Sequence, residues 1–93
     1  MTDRRGWIVR ATAGRDRDGL FCVVGADQEH KRLLLADGKR RGYARPKAKD
    51  PSHVKPLTGE FDHPAIQKLR QGEPLSDREL RRALAAFRDQ LEV

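Results

Sequence analysis

Arg15 and Arg17 alternate with Asp16 and Asp18 between two glycines, Gly14 and Gly19. Such a segment combines three kinds of chemistry. Glycine reaches the left-handed backbone region that joins two strands tightly, and it lets a phosphate come close. Arginine offers planar, multidentate donors to phosphates or base edges. Aspartate shapes a loop by bonding to its amides. Taken alone, Ala13–Gly19 reads equally well as an ordinary charged hairpin or as an anion-gripping loop. Gly14 and Gly19 also have the G-x-x-x-x-G spacing that opens a phosphate-binding loop. Leu20 and Phe21 stand where that loop requires lysine and serine or threonine, which argues against a nucleoside-triphosphate site.

A second segment is denser in charge. Lys39, Arg40, Arg41, Arg45, Lys47, Lys49 and Lys55 fall within seventeen residues, with Asp50 as the only acid among them. Basic side chains this close repel one another unless a polyanion neutralises them. Tyr43 lies among them, where it can stack on a base, and His53 adds a hydrogen-bonding group. The plain alternative is a solvated basic loop. The coincidence of charge with an aromatic ring favours nucleic acid.

Catalytic constellations are missing. His30, His53 and His63 are widely spaced, and Cys22, the single cysteine, has no C-x-x-C partner, so no zinc pattern forms. Arginines flank the D-x-D of Asp16 and Asp18 and compete with any metal for the carboxylates. No serine or cysteine sits in a nucleophile elbow. Of the 93 residues, 37% are apolar and 5% aromatic, which leaves little for both a core and a deep, dry pocket. We therefore expect no enzyme activity, no cofactor, no metal and no small-molecule substrate. The net charge of +6 points to a polyanionic partner. Met1-Thr2-Asp3-Arg4-Arg5 leads into no long apolar stretch, so neither signal peptide nor membrane span is expected, and the default location is cytoplasmic.

These residues need elements to position them. Gly6–Thr12, with Trp7, Ile8 and Val9 at its centre, reads as a strand, with Trp7 in the core. Leu20–Val24 is a continuous apolar run between Gly19 and Gly25, which suits a strand buried on both faces or closing a small barrel. Cys22 within it is expected to be a small buried hydrophobe. Leu33–Ala36 is a third strand. Asp37-Gly38 is a tight hairpin turn, with Arg41–Arg45 as the return strand. Pro46 and Pro51 keep the next stretch irregular, and Val54–Leu57 is a last short strand. Short strands with close turn signals indicate a small barrel or sandwich. Asp62 is the expected N-cap of a short helix that Gly72 and Pro74 end. Ser76-Asp77-Arg78-Glu79 has capping-box spacing, with Leu75 and Leu80 as its hydrophobic staple. The apolar face of this second helix is Leu80, Ala83, Leu84, Phe87 and Leu91. Its charges are mixed, which marks a solvated face rather than a groove-reading helix. Residues 1–57 hold 14 Lys/Arg against 7 Asp/Glu, while residues 58–93 hold 6 against 7. Two domains are expected on that division, a basic strand-rich one and a helical extension.

The segment Gly6-Trp7-Ile8-Val9-Arg10-Ala11-Thr12-Ala13-Gly14-Arg15-Asp16-Arg17-Asp18-Gly19-Leu20-Phe21-Cys22-Val23-Val24 resembles a KOW motif, with Gly14 as its signature turn glycine. Leu34-Leu35-Ala36-Asp37-Gly38-Lys39, then Arg41, Arg45-Pro46-Lys47 and Val54-Lys55, extend the likeness. Together they resemble the small bacterial KOW-domain RNA-binding proteins, which are related to large-subunit ribosomal proteins of archaea and eukaryotes. The likeness covers about residues 5–57. It implies a mainly β fold, an SH3-like barrel, here followed by a C-terminal helical hairpin. It also implies contact with ribosomal or other structured RNA. This chain departs from the pattern at Lys47-Ala48-Lys49-Asp50-Pro51-Ser52-His53, where a near-unbroken lysine run is expected. Its helical end has no counterpart in the minimal motif.

The expected function is thus non-enzymatic RNA binding in a ribosome-associated, translational setting. The expected contacts are Arg10, Arg15, Arg17, Lys39, Arg40, Arg41, Tyr43, Arg45, Lys47, Lys49 and Lys55, on turns set by Gly14, Gly19 and Gly38. The alternative is a protein-interaction adaptor of the transcription or translation machinery. Leu80, Leu84, Phe87 and Leu91 would then dock a partner protein instead of covering the barrel or the preceding helix.

Overall fold

The computed structural model describes residues 4–58 and 61–91. The expected ranges 1–57 and 58–93 also take in Met1–Asp3, Gly59, Glu60, Glu92 and Val93, which lie outside the described residues. Five strands form one antiparallel sheet: β1 (Ile8–Ala11), β2 (Leu20–Asp27), β3 (Arg32–Ala36), β4 (Lys47–Lys49) and β5 (Val54–Thr58). Their order is β4-β3-β2-β1-β5, so β4 and β5 are the two edges. A 3-10 turn, Pro51–His53, joins those edges in sequence. Two helices follow, α1 (Pro64–Arg70) and α2 (Asp77–Leu91). Among the described residues, no helix is long and apolar enough to cross a membrane.

The run Leu20–Val23 explains the architecture. All four side chains are buried. Neighbouring side chains of a strand point to opposite faces, so both faces of β2 must be covered. On one face Leu20 and Cys22 join Ile8 and Ala36 in a cluster with Ile66, Leu69, Leu80, Leu84 and Phe87 of the helices. On the other, Phe21 and Val23 pack with Val9, Ala11, Leu33, Leu35 and Val54, and every buried member of this cluster lies in a strand. The sheet therefore covers that face by its own curvature. Register shifts between Ile8 and Val9 against β5, and between Val23 and Gly25 against β3, supply the bend. The ladder remains open, since β4 and β5 each pair with one neighbour only. Trp7 lies half-buried against the strand cluster, with the Arg4 guanidinium 5.3 Å from its ring centre. The segments on either side of residue 57 share the first cluster, so one core serves both.

Two expected elements are corrected. Arg41–Arg45 is not a strand; the partner of β3 is Lys47–Lys49. Asp37 is the reason. Its Oδ1 accepts from the amides of Lys39 and Arg41, both at 2.9 Å, and the Asp37 and Gly38 amides both donate to the Arg41 carbonyl at 3.0 Å. The local turn consumes the amides that a ladder would need. The cap of α1 is His63, not Asp62. Pro64 occupies the first helical position, and the residue before a proline is held extended. His63 has φ −148° and ψ 141°, and its Nδ1 accepts from the Ala65 amide at 3.2 Å. Asp62 instead accepts from Gln67 Nε2 at 2.7 Å.

The helix signals near α2 are present. The Ser76 hydroxyl accepts from the Glu79 amide at 3.1 Å, and Glu79 Oε1 accepts from the Ser76 amide at 3.2 Å. Leu75 and Leu80 are both buried. The other oxygen of Glu79 takes the Lys68 ammonium at 2.9 Å and so ties α2 to α1. Gly72, at φ +80°, ends α1, with the Gly72 and Glu73 amides returning to the carbonyls of Leu69 and Lys68.

Because one core spans sheet and helices, Leu80→Ala is expected to cost about 2–5 kcal/mol. Strand and helix signals should be lost together in a single denaturant transition. Helices that melt well before the sheet would contradict the shared core.

Candidate functional site

The loop between β1 and β2 is built from consecutive turns. The amides of Arg17, Asp18 and Gly19 donate to the carbonyls of Gly14, Ala11 and Asp16 at 3.2, 2.8 and 2.9 Å. Gly14 takes φ +80° as its turn requires. At the far end the left-handed residue is Asp18, at φ 70°, and not Gly19.

The Asp16 carboxylate was expected to shape the loop through its amides; it reaches across to β4 instead. It is 7% exposed and accepts from the Lys47 ammonium, with Arg41 Nη2 at 3.9 Å. Lys49 Nζ, on the same edge strand, donates to the Ala13 carbonyl at 2.7 Å, and Lys49 is 8% exposed. Two of the expected RNA contacts, Lys47 and Lys49, thus clamp the edge strand onto the loop. Counting charge within residues 39–55 overlooked an acid that lies 31 positions before Lys47. The hydrogen bond from Lys47, helped by the charges of Lys47, Arg41 and Lys49, holds the Asp16 carboxyl below its ordinary value of 3.8, against the opposing effect of burial.

Five other cations converge. Arg17 of the β1–β2 loop, Lys39 and Arg40 of the β3–β4 loop, and Arg81 and Arg88 of α2 line a groove of about 450 Å³. Asp16, Asp18 and Asp37 line it too, with Asp16 already paired to Lys47 and Asp37 Oδ1 taken by the Lys39 and Arg41 amides, as do the buried residues Leu20, Phe21 and Leu84. Arg81, Leu84 and Arg88 are spaced i, i+3, i+7, which places them on one side of α2. Among the described residues, Arg17, Lys39, Arg40 and Arg88 have no carboxylate partner. Arg10 is the cross-strand partner of Leu20 on one side and of Lys55 on the other. Cross-strand partners share a sheet face, so Arg10 and Lys55 continue the basic surface beyond the groove.

Other expected contacts lie elsewhere. Arg15 and Arg45 are exposed but do not line the groove. Tyr43 is half-buried against the helix-side core, and its amide donates to Asp77 Oδ1 at 2.7 Å. Its ring is therefore largely engaged in packing.

The charged side of α2 is where the sequence reading fell short. Arg81 is not on a merely solvated face, because its Nη1 donates to the Gly38 carbonyl at 2.6 Å. Gly38 has φ +78°, and a β-carbon there would overlap the Asp77 carbonyl oxygen. That close approach seats the start of α2 against the β3–β4 loop. A signal for Arg81 and Arg88 did exist: both flank the apolar stripe of α2, at the seam where a helix meets its sheet. Leu80, Leu84 and Phe87, the expected partner-docking residues, are buried in the chain's own core, and Leu91 is 49% exposed. Burial pushes the Cys22 thiol up to about 12, which leaves it a packing residue. His30 pairs with Asp27 at 2.8 Å in the β2–β3 turn, away from the groove.

Asp16→Asn should lower stability at neutral pH by about 1–3 kcal/mol, since it weakens a hydrogen bond between charged groups. A carboxyl whose pKa is depressed by folding stabilises the protein above its unfolded value and loses that contribution as pH falls through its folded value. The gap between wild type and variant should therefore close below the ordinary carboxylate range. Denaturant midpoints followed from neutral pH to well below the ordinary carboxylate range test this, and a gap that does not shrink as pH falls would contradict it. No protein-family model matches this chain, and no curated protein matches it in sequence.

Proposed function

We propose that this chain is a non-enzymatic RNA-binding module of the KOW type, which grips phosphates along the basic groove. The observation that carries the reading is the convergence of five cations from three separate segments on one groove that holds three acids, with none of the five in an ion pair with a carboxylate among the described residues. Exposed cations held together in a concavity concentrate positive potential, and an anionic polymer relieves it. The strand order and the 3-10 turn between the two edge strands support an SH3-like arrangement. The strand-only core cluster supports a barrel-like interior. The ribosomal or otherwise structured nature of the RNA, and a cytoplasmic place of action, rest on the KOW resemblance and the charge. The adaptor reading is less well supported, because the apolar face it needs is buried.

Titrating a labelled ribosomal RNA fragment at several salt concentrations tests the proposal. If single-stranded RNA neutralises about five cations, log affinity should fall against log salt with a slope near −3.5. Arg17→Ala with Arg40→Ala should weaken binding and reduce that slope by about 1.4, with an unchanged melting temperature. Affinity indifferent to salt, or unaltered in this double variant, would sink the assignment.

A further inference from the structure

We infer that the groove receives an unpaired stretch of RNA and that α2 forms one wall of the binding site. The inference rests on the RNA reading above and narrows it.

The first argument is shape. At about 450 Å³ the groove is in the size class of sites that enclose a small molecule, roughly 300–1,000 Å³. That is the scale of a nucleotide and not of a double helix. Paired RNA presents a broad, shallow minor groove and a major groove too narrow for side chains, so proteins read it over open surfaces. A cleft of this size lined by cations from three segments would meet only the backbone edge of such a duplex.

The second argument is chemistry. Phosphates suit the cationic lining supplied by Arg17, Lys39, Arg40, Arg81 and Arg88. Paired RNA keeps its base faces stacked on each other and has none to offer. The arginines add planar guanidinium groups on which a splayed base can stack.

The third argument is the exit path. Arg10 and Lys55 stand directly opposite each other on neighbouring strands. Like charges in that relation destabilise a sheet unless something neutralises them. They share the sheet face of Leu20, and adjacent strands lie about 4.8 Å apart. Steps of that size carry an extended strand from the groove past Arg10 to Lys55. On this path the strand enters between Arg40 and Arg88 and leaves over β1 and β5.

The test uses the full chain with two labelled probes, a short oligouridylate and a perfectly paired RNA duplex of equal length, at one salt concentration. The oligouridylate should bind at least about tenfold more tightly. Arg88 is exposed and makes no ion pair among the described residues, so Arg88→Ala should fold normally. It should weaken oligouridylate binding about tenfold and reduce the salt slope by about 0.7. Arg82→Ala removes the same charge from α2 outside the groove lining and should leave affinity within about twofold. Duplex binding as tight as, or tighter than, the oligouridylate overturns the unpaired-strand inference while leaving RNA binding intact. Equal losses in the Arg88 and Arg82 variants, or none in either, overturn the role of α2. Binding to neither probe overturns this inference and the RNA reading together.

Discussion

Four consecutive apolar side chains, Leu20 to Val23, lie at the centre of the molecule and need cover on both sides. A chain of 93 residues has little apolar mass for a third layer. The two coverings come from different sources. Helices α1 and α2 take one face, and the bent sheet takes the other. The helical end is thus a structural half of the domain, although by charge and motif it looks like an addition. Seating α2 across β2 also brings Arg81 and Arg88 beside the two loops that carry Arg17, Lys39 and Arg40. The same packing that completes the core assembles the groove.

Two groups of cations are placed differently. Lys47 and Lys49 point inward along the edge strand and are neutralised by Asp16 or bonded to the Ala13 carbonyl. Arg17, Lys39, Arg40 and Arg88 stand at the groove without carboxylate partners among the described residues. A chain with net charge +6 must place its surplus somewhere. Here Asp16 removes part of it from the edge strand, and five further cations line one concavity with three acids. The arrangement suits a ligand that carries a row of charges better than one that carries a single charge.

The strands β1, β2, β3 and β5 were legible because their apolar runs are local signals, although β2 continues through Gly25 to Asp27 instead of ending before it. The capping box at Ser76 and the glycine stop at Gly72 were legible for the same reason. Asp37 misled because an Asp-Gly pair signals a hairpin turn, and only the three-dimensional loop shows its carboxylate taking two amides further on. His63 was hidden by the stronger capping reputation of Asp62, though Pro64 already marked the first helical turn. Of the groove lining, Arg17, Lys39 and Arg40 stood out in the sequence by their local charge. The bonds of Lys47 to Asp16 and of Lys49 to Ala13 did not, since they link residues more than thirty positions apart. Arg81 and Arg88 were missed because a helix read by itself does not reveal which neighbour its flank will meet.

The seat of α2 against Gly38 has one more consequence. Arg40 and Arg88 belong to different elements, and the contact of Asp77 and Arg81 with Gly38 sets the distance between them. Anything that bridges the two sides of the groove also bolts the helix to the sheet. Occupancy and folding are then linked, and unfolding becomes harder by RT ln(1 + [L]/Kd) as free ligand rises. Proteases that cut the transiently opened chain respond to that same free energy. The lifetime of this small protein in a cell would then follow the supply of whatever fills its groove.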